Sequence, residues 1–151
     1  MWVIFEGLDK SGKGTLELEF LKATNFKHIV IDRGPAGYMT FDKVFGRDTK
    51  ESNYNFIHQA YKMMKTNQLM IVYCVVDEKI AQERLKAHNE TCPYDYTKAH
   101  RIYDYSIIAC YGTWNNNANV LRLDTTNRSI EECVALIIEK LQEALKRSEY
   151  N

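Results

Sequence analysis

The sequence predicts an α/β fold, a doubly wound parallel sheet of about four strands with helices on both faces. Three observations carry this expectation. Four short runs rich in Val, Ile and Leu, namely Trp2–Phe5, His28–Ile31, Met70–Val76 and Val120–Leu123, are too continuous to leave a solvent-facing side, which is the pattern of strands covered on both faces. Segments of helical periodicity separate these runs, and the right-handed crossover rule then winds helices onto both sides of one sheet. The first run leads directly into a glycine-rich loop and a helix, so ligands are expected at the carboxyl ends of the strands.

Trp2–Phe5 reads as a buried strand from which the chain must turn sharply. Gly7 and Gly12 allow that turn and let backbone N–H groups approach phosphate oxygens without a Cβ in the way, while Lys13 adds a compact positive charge. Strand, loop and helix together match Gly-x-x-x-x-Gly-Lys in its required context, which makes the expected fold P-loop NTPase-like. Gly14 stands where most P-loops place the Ser or Thr that ligates Mg²⁺, and Thr15 is the nearest hydroxyl.

A helix from about Thr15 to Ala23 turns Leu16, Phe20 and Leu21 toward the core. After the second strand, Gly34-Pro35 opens another, since proline is tolerated in a first helical turn, and Tyr38, Phe41, Val44 and Phe45 line one side of it. A third helix spans about Asn53–Lys65. Asp77 is placed to cap a helix running to about His88. The polar stretch Asn89–Tyr96, a lid candidate, precedes a helix from about Thr97 to Tyr111 whose Ala99, Ile102, Tyr103, Ser106, Ile107 and Cys110 share a face. Ser129-Ile-Glu-Glu132 is a capping-box pattern that starts the most regular amphipathic helix, with the stripe Ile130, Cys133, Val134, Ile137, Ile138, Leu141 and Leu145.

At 151 residues the chain fits a single domain, 1–151, able to bury roughly 68–70% of its unfolded surface. Cys74, Cys92, Cys110 and Cys133 lie far apart without zinc-ligand spacing, and Cys74 and Cys133 read as core thiols of a reducing, cytoplasmic setting. Lys+Arg 20 balances Asp+Glu 20, so no overall basic field draws the chain to nucleic acid or to an anionic membrane. No apolar run approaches the roughly 20 residues of a membrane span, and Glu6 interrupts the apolar start in a way no signal peptide would. His58, His88 and His100 have no partner at ligand or triad spacing.

Phe5-Glu6-Gly7-Leu8-Asp9 followed by Gly12-Lys13 resembles the thymidylate kinase form of the P-loop, and Gly12-Lys13-Gly14-Thr15 is similar to the ending found in adenylate and UMP/CMP kinases. Both are nucleoside monophosphate kinases. Asp32-Arg33 resembles the pair with which thymidylate kinases hold the acceptor phosphate, and Asp124-Thr125-Thr126-Asn127 resembles the adenine-contacting loop. The resemblance implies ATP and Mg²⁺ as cofactors. ATP would fall to Gly7, Ser11, Gly12, Lys13, Gly14, Thr15, Thr125 and Thr126, and the metal to Thr15 and Asp32. It implies an acceptor site with Arg33 on the phosphate and Asp9 on the sugar hydroxyl, to which Arg47, a second phosphate contact or else a solvated charge, and the aromatic Tyr38 are added as candidates. Glu6 matches the family too, or simply orients loop groups.

The chemistry of these residue types points the same way. Phosphoryl transfer needs positioning and charge neutralisation more than covalent chemistry. Lys13 and the loop amides supply this on the donor side, and Arg33 can grip an acceptor phosphate through two oxygens. Asp32 is the carboxylate suited to hold Mg²⁺ through its waters, or it forms a surface ion pair with Arg33. The stretch Asn89–Tyr96 contains no Arg or Lys, so Lys10 inside the loop takes the place of the lid cation found in other members, unless it is a solvated loop lysine. The catalytic set is therefore Lys13, Lys10, Arg33 and Asp32.

The chain departs from the family in one large respect. Only Thr24–Lys27 separates the loop helix from the Asp-Arg strand, where relatives insert a further strand and helix. The base-binding wall must then come from elsewhere, with Tyr38, Phe41, Tyr54, Phe56 and Tyr61 as aromatics that either stack on a base or fill the core. The expected activity is transfer of the γ-phosphoryl of ATP to a deoxynucleoside monophosphate such as dTMP. A nucleoside or 5′-hydroxyl kinase is the alternative, with Asp32 as base. A third reading is a nucleotide-binding protein without catalysis that acts through a partner. Small-molecule nucleotides are the expected partners, and a homodimer is compatible with the chain.

Overall fold

The structure, a computed structural model, describes residues 1–66 and 68–149; residues 67, 150 and 151, inside the expected domain bounds, lie outside them. The elements are β1 (Trp2–Glu6), α1 (Lys13–Ala23), β2 (Ile29–Asp32), α2 (Pro35–Val44), α3 (Lys50–Met64), β3 (Leu69–Val75), α4 (Glu78–Ala87), α5 (Tyr96–Tyr111), β4 (Val120–Asp124) and α6 (Ile130–Glu149). The strands form one parallel sheet in the order β2-β1-β3-β4. No helix among the described residues is long and apolar enough to cross a membrane.

Strand alternation sorts the side chains into two cores. Val3, Phe5, Met70, Val72 and Cys74 point to the face covered by α1 and α6, where they meet Leu16, Phe20, Ile137 and Leu141. Ile4, Ile71, Tyr73 and Val75 point to the other face, against Met39, Ala60, Tyr103 and Ile107 of α2, α3 and α5. All seven residues of β3 are buried, as the continuous apolar run requires of a central strand.

The outer strands correct the expectation that every run lacks a solvent-facing side. Ile29 on β2 is 56% exposed, and on β4 Arg122 and Asp124 are exposed while Val120 and Leu123 are buried. The reason is position: each lies at a sheet edge, and among the described residues β2 pairs with β1 alone, with no strand beyond it. Apolar composition marks a strand, but it does not say how many neighbours the strand has.

Three local details also differ. Asp77 occupies the N-cap of α4 but makes no side-chain cap bond; its N–H donates to Thr126 Oγ1 at 2.9 Å instead. Helix α3 starts three residues earlier than its periodicity suggests, because Thr49 and Ser52 form a reciprocal capping box. In α2 the buried side is Pro35, Ala36, Met39, Thr40 and Phe41, whereas Tyr38 and Phe45 are about half exposed and face a cleft described below. Ile130, the first residue of the α6 stripe, is likewise exposed. The capping position itself holds, with Ser129 Oγ accepting from Glu132 N at 3.1 Å.

Candidate active site

The loop between β1 and α1 is shaped by two glycines with positive φ, Gly7 at 148° and Gly12 at 90°. A Cβ on Gly7 would come within 2.5 Å of the Cys74 carbonyl oxygen, so the loop can lie against β3 only without a side chain there. Neighbouring elements tie the loop down. Thr125 Oγ1 donates to the Ser11 carbonyl at 2.8 Å, and Arg84 Nη1 on α4 donates to the Lys10 carbonyl at 2.7 Å. The N-terminus of α1 has Gly12 as its cap and no side-chain cap bond. Its first-turn N–H groups are therefore open to an anion, reinforced by the helix dipole.

A cleft of about 480 Å³ opens above this loop. Lys10, Gly12, Lys13, Gly14, Thr15 and Thr125 line it, joined by Arg84 and Arg128. The Lys13 ammonium forms an ion pair with Asp32 Oδ1. Burial alone would raise the Asp32 carboxyl, but the Lys13 hydrogen bond and charge hold it below the ordinary carboxylate range. Glu17, one helical turn beyond Lys13 on α1, lies against the same carboxylate. Its carboxyl is held above the ordinary value, first by burial and then by the charge of Asp32.

A second cleft, also about 480 Å³, lies between α2 and the 89–95 segment. Asp9, Arg33, Tyr38, Phe41, Phe45, Arg47, Pro93 and Tyr94 line it. The backbone at Arg33 is left-handed, with φ at 64°, and its N–H bonds to the Phe5 carbonyl at 2.8 Å. The guanidinium lies 4.3 Å from the centre of the Phe41 ring, and Nη2 reaches Asp9 Oδ1 at 3.5 Å. Its stem crosses Gly37, where any Cβ would collide with Arg33 Cγ. Buried Nε of Arg33 has no hydrogen-bond partner among the described residues. Asp9 lines both clefts, and it is where they meet.

The segment expected as a lid closes over this junction. Tyr94 Oη donates to Asp9 Oδ2 at 3.1 Å, and Lys10 Nζ donates to Glu90 Oε1 at 3.1 Å. Phe41 and Phe45 meet the Tyr94 ring edge-on at 5.8 and 6.1 Å. Tyr38 stacks on Phe56 at 6.2 Å. Tyr54 and Tyr61, by contrast, are well exposed on α3 and line neither cleft.

Beneath the junction, Glu6 is fully buried. Its Oε2 accepts from Tyr103 Oη at 2.5 Å, and its Oε1 accepts from Tyr111 Oη at 2.9 Å and from the Gly34 N–H at 3.0 Å. Burial pushes its carboxyl up, against the lowering effect of these three donors and of Arg33. Glu6 thus fixes the Arg33–Gly34 turn from below. Glu6→Ala is expected to cost roughly 1–3 kcal/mol for each buried donor left unsatisfied, measured by urea unfolding. Because the folded pKa is raised, the pH-dependent contribution of Glu6 is fully present below its unfolded value of 4.5 and is lost as pH rises. Wild type should therefore lose stability relative to Glu6→Gln as pH is raised from 4.5; a pH-independent difference would show that burial does not dominate.

Most of the residues singled out in the sequence converge on this junction. Lys10, Lys13, Gly12, Gly14, Thr15 and Thr125 line the first cleft, and Arg33, Arg47 and Tyr38 line the second. Gly7, Ser11, Asp32 and Thr126 line neither cleft. Ser11 is buried beneath the loop, its hydroxyl without a partner. Thr126 faces a separate cleft beside Asp77 and His100. Within the second cleft, Arg47 Nε lies 3.4 Å from Asp42 Oδ1. Sequence reasoning missed Arg84, Arg128, Glu17 and Tyr94, charged or polar residues that a one-dimensional pattern cannot separate from solvated ones.

No protein-family model and no curated protein sequence matches the chain. Among solved structures, it is similar to the YorR protein of Bacillus subtilis, determined in complex with phosphorylated GDP, with a TM-score of 0.70 and 14% identity over 94% of this chain and 96% of that one. It is also similar to the thymidylate kinase of Candida albicans, with a TM-score of 0.57 and 10% identity over 94% of this chain and 91% of that one. At these identities the likeness is one of fold, and it extends over nearly the whole length of all three chains. The chain has the fold of a P-loop kinase.

Proposed function

We propose that the chain is an ATP-dependent deoxynucleoside monophosphate kinase, transferring the γ-phosphoryl of ATP to a monophosphate such as dTMP. The observation that carries this reading is the meeting of two clefts at Asp9, one floored by the P-loop and the other holding Arg33. ATP lies with its phosphates over the loop amides and Lys13. The acceptor phosphate lies on Arg33, whose guanidinium side chain lines the second cleft beside Asp9. A monophosphate is already a nucleophile, so no general base is needed. Charge neutralisation by Lys13, Lys10 and Arg33 and exclusion of water by the 89–95 segment supply the catalysis. The aromatic wall absent beside β2 is replaced here by Tyr38, Phe41, Phe45 and Tyr94.

The oxygen donors near Lys13 fit Mg²⁺: the carboxylates of Asp32 and Glu17 and the hydroxyl of Thr15 are hard ligands of the kind it takes. When bound, Mg²⁺ neutralises charge on the β- and γ-phosphates. The hydroxyl-kinase alternative would use Asp32 as base.

The test is a phosphoryl-transfer screen with ATP and Mg²⁺ against each nucleoside and each mono- and diphosphate, guanine nucleotides included because the YorR neighbour holds one. Formation of a diphosphate from a monophosphate is expected, with product masses read directly. Phosphorylation of nucleosides alone would favour the hydroxyl kinase, and no turnover at all would favour the partner-binding reading. Arg33→Lys should raise KM for the acceptor by roughly tenfold and leave KM for ATP nearly unchanged, because lysine keeps the charge and loses the planar fork. If both constants rise together, Arg33 is not the acceptor clamp.

A further inference from the structure

Gly14 leaves the loop without the side-chain hydroxyl that usually meets the metal ion of the nucleotide. A Cβ built on Gly14 meets nothing within 4 Å, so no neighbouring group has grown into that space to replace it. One turn further along the same helix stands Glu17, within hydrogen-bonding reach of Asp32. Its Oε1 is buried and has no hydrogen-bond donor among the described residues. An acceptor hidden from water without a donor is costly, and it is costlier beside a second carboxylate. The arrangement is tolerable here because the Lys13 ammonium sits on Asp32.

That lysine is the residue a nucleotide calls away. When the Lys13 ammonium turns to the β- and γ-phosphates, Asp32 and Glu17 face each other with their nearest cation removed. A divalent cation restores the balance of charge, since Mg²⁺ is commonly bound by one or two carboxylates together with phosphate oxygens and water. Resting on the kinase reading above, we propose that Glu17 and Asp32 together hold the Mg²⁺ of the bound nucleotide, Glu17 taking over the part that a hydroxyl at position 14 would play. The competing arrangement is a single proton shared between the two carboxyls, with no metal role for Glu17.

Mn²⁺ serves as a spectroscopic stand-in for Mg²⁺. Electron paramagnetic resonance titration measures Mn²⁺ uptake by the full chain saturated with ADP, and calorimetry with a chelator present measures ADP binding without metal. Glu17→Gln keeps the size of the side chain and its contact with Asp32 while removing the charge. It is expected to weaken Mn²⁺ uptake roughly tenfold or more and to leave metal-free ADP binding within about twofold. Adding Gly14→Ser to Glu17→Gln, in the open space at that position, should restore most of the lost affinity by supplying the hydroxyl. Unchanged Mn²⁺ uptake in Glu17→Gln overturns the proposal and favours the shared proton. Equal loss of metal-free ADP binding also overturns it, since Glu17 would then only shape the loop. Failure of the unmodified chain to bind ADP at all would instead sink the kinase reading on which the proposal rests.

Discussion

Lys13→Ala is expected to reduce nucleotide phosphorylation by roughly 10²–10³-fold or more while leaving the far-ultraviolet circular dichroism spectrum and the thermal midpoint close to wild type. Lys13 begins α1, and its ammonium pairs with an Asp32 side chain that is 63% exposed. Water solvates the open side of the Asp32 carboxylate left behind, while its contact with Glu17 loses a cation, so the expected cost is about 1 kcal/mol, a fall of only a few degrees in the thermal midpoint. Neither buried core includes the lysine. In the first cleft, however, it is the cation set at the N-terminus of α1, where the phosphates would lie. Arg84 cannot replace it while its guanidinium is engaged on the Lys10 carbonyl. Wild-type turnover in Lys13→Ala would remove the P-loop from the chemistry altogether.

The parts of this molecule that sequence made legible are those written in local code. Gly7, Gly12 and Lys13 fall at a fixed spacing after an apolar run, and their backbone requirements belong to the loop itself. Helix positions followed from the 3.6 period and strands from continuous apolar runs, and the ends were off by a few residues where a cap such as Thr49–Ser52 was not noticed. Which residues share a cleft came from the family resemblance and the chemistry of the side chains, not from any local pattern. That Asp9, Arg33, Tyr38 and Arg47 line one cavity depends on α2 folding back beside the loop.

What stayed hidden was built by contacts distant in sequence. Glu6 meets Tyr103 and Tyr111 across 97 and 105 positions, and Arg84 reaches Lys10 across 74. Tyr103 shared a periodic apolar face with Ile107, so nothing marked its hydroxyl as a partner for a buried carboxylate. Arg84 and Glu17 lay on helices rich in charge, where most such residues are solvated. The exposure of β2 was hidden for a different reason: an edge strand beside a missing neighbour has the same composition as an inner one.

Lys10→Gln is expected to lower kcat by one or more orders of magnitude while the affinity for ATP changes little, the pattern of an interaction made mainly in the transition state. Lys10 sits in the left-handed region with φ at 64°, a conformation that costs a non-glycine residue about 1–2 kcal/mol. Its carbonyl is held by Arg84 and its ammonium by Glu90, across the mouth of the first cleft. Glycine would suit the backbone better, so a purely structural loop residue has no reason to be lysine. Lys10→Gly should accordingly raise the thermal midpoint and still lose the same orders of magnitude in kcat, separating stability from activity in one position. Steady-state kinetics beside calorimetric ATP titration of both variants decides the matter. Unchanged kcat in Lys10→Gln would make the lysine a tether for the 89–95 segment, and the transferring phosphoryl would then have to meet Arg33, Arg47 or Arg84 instead.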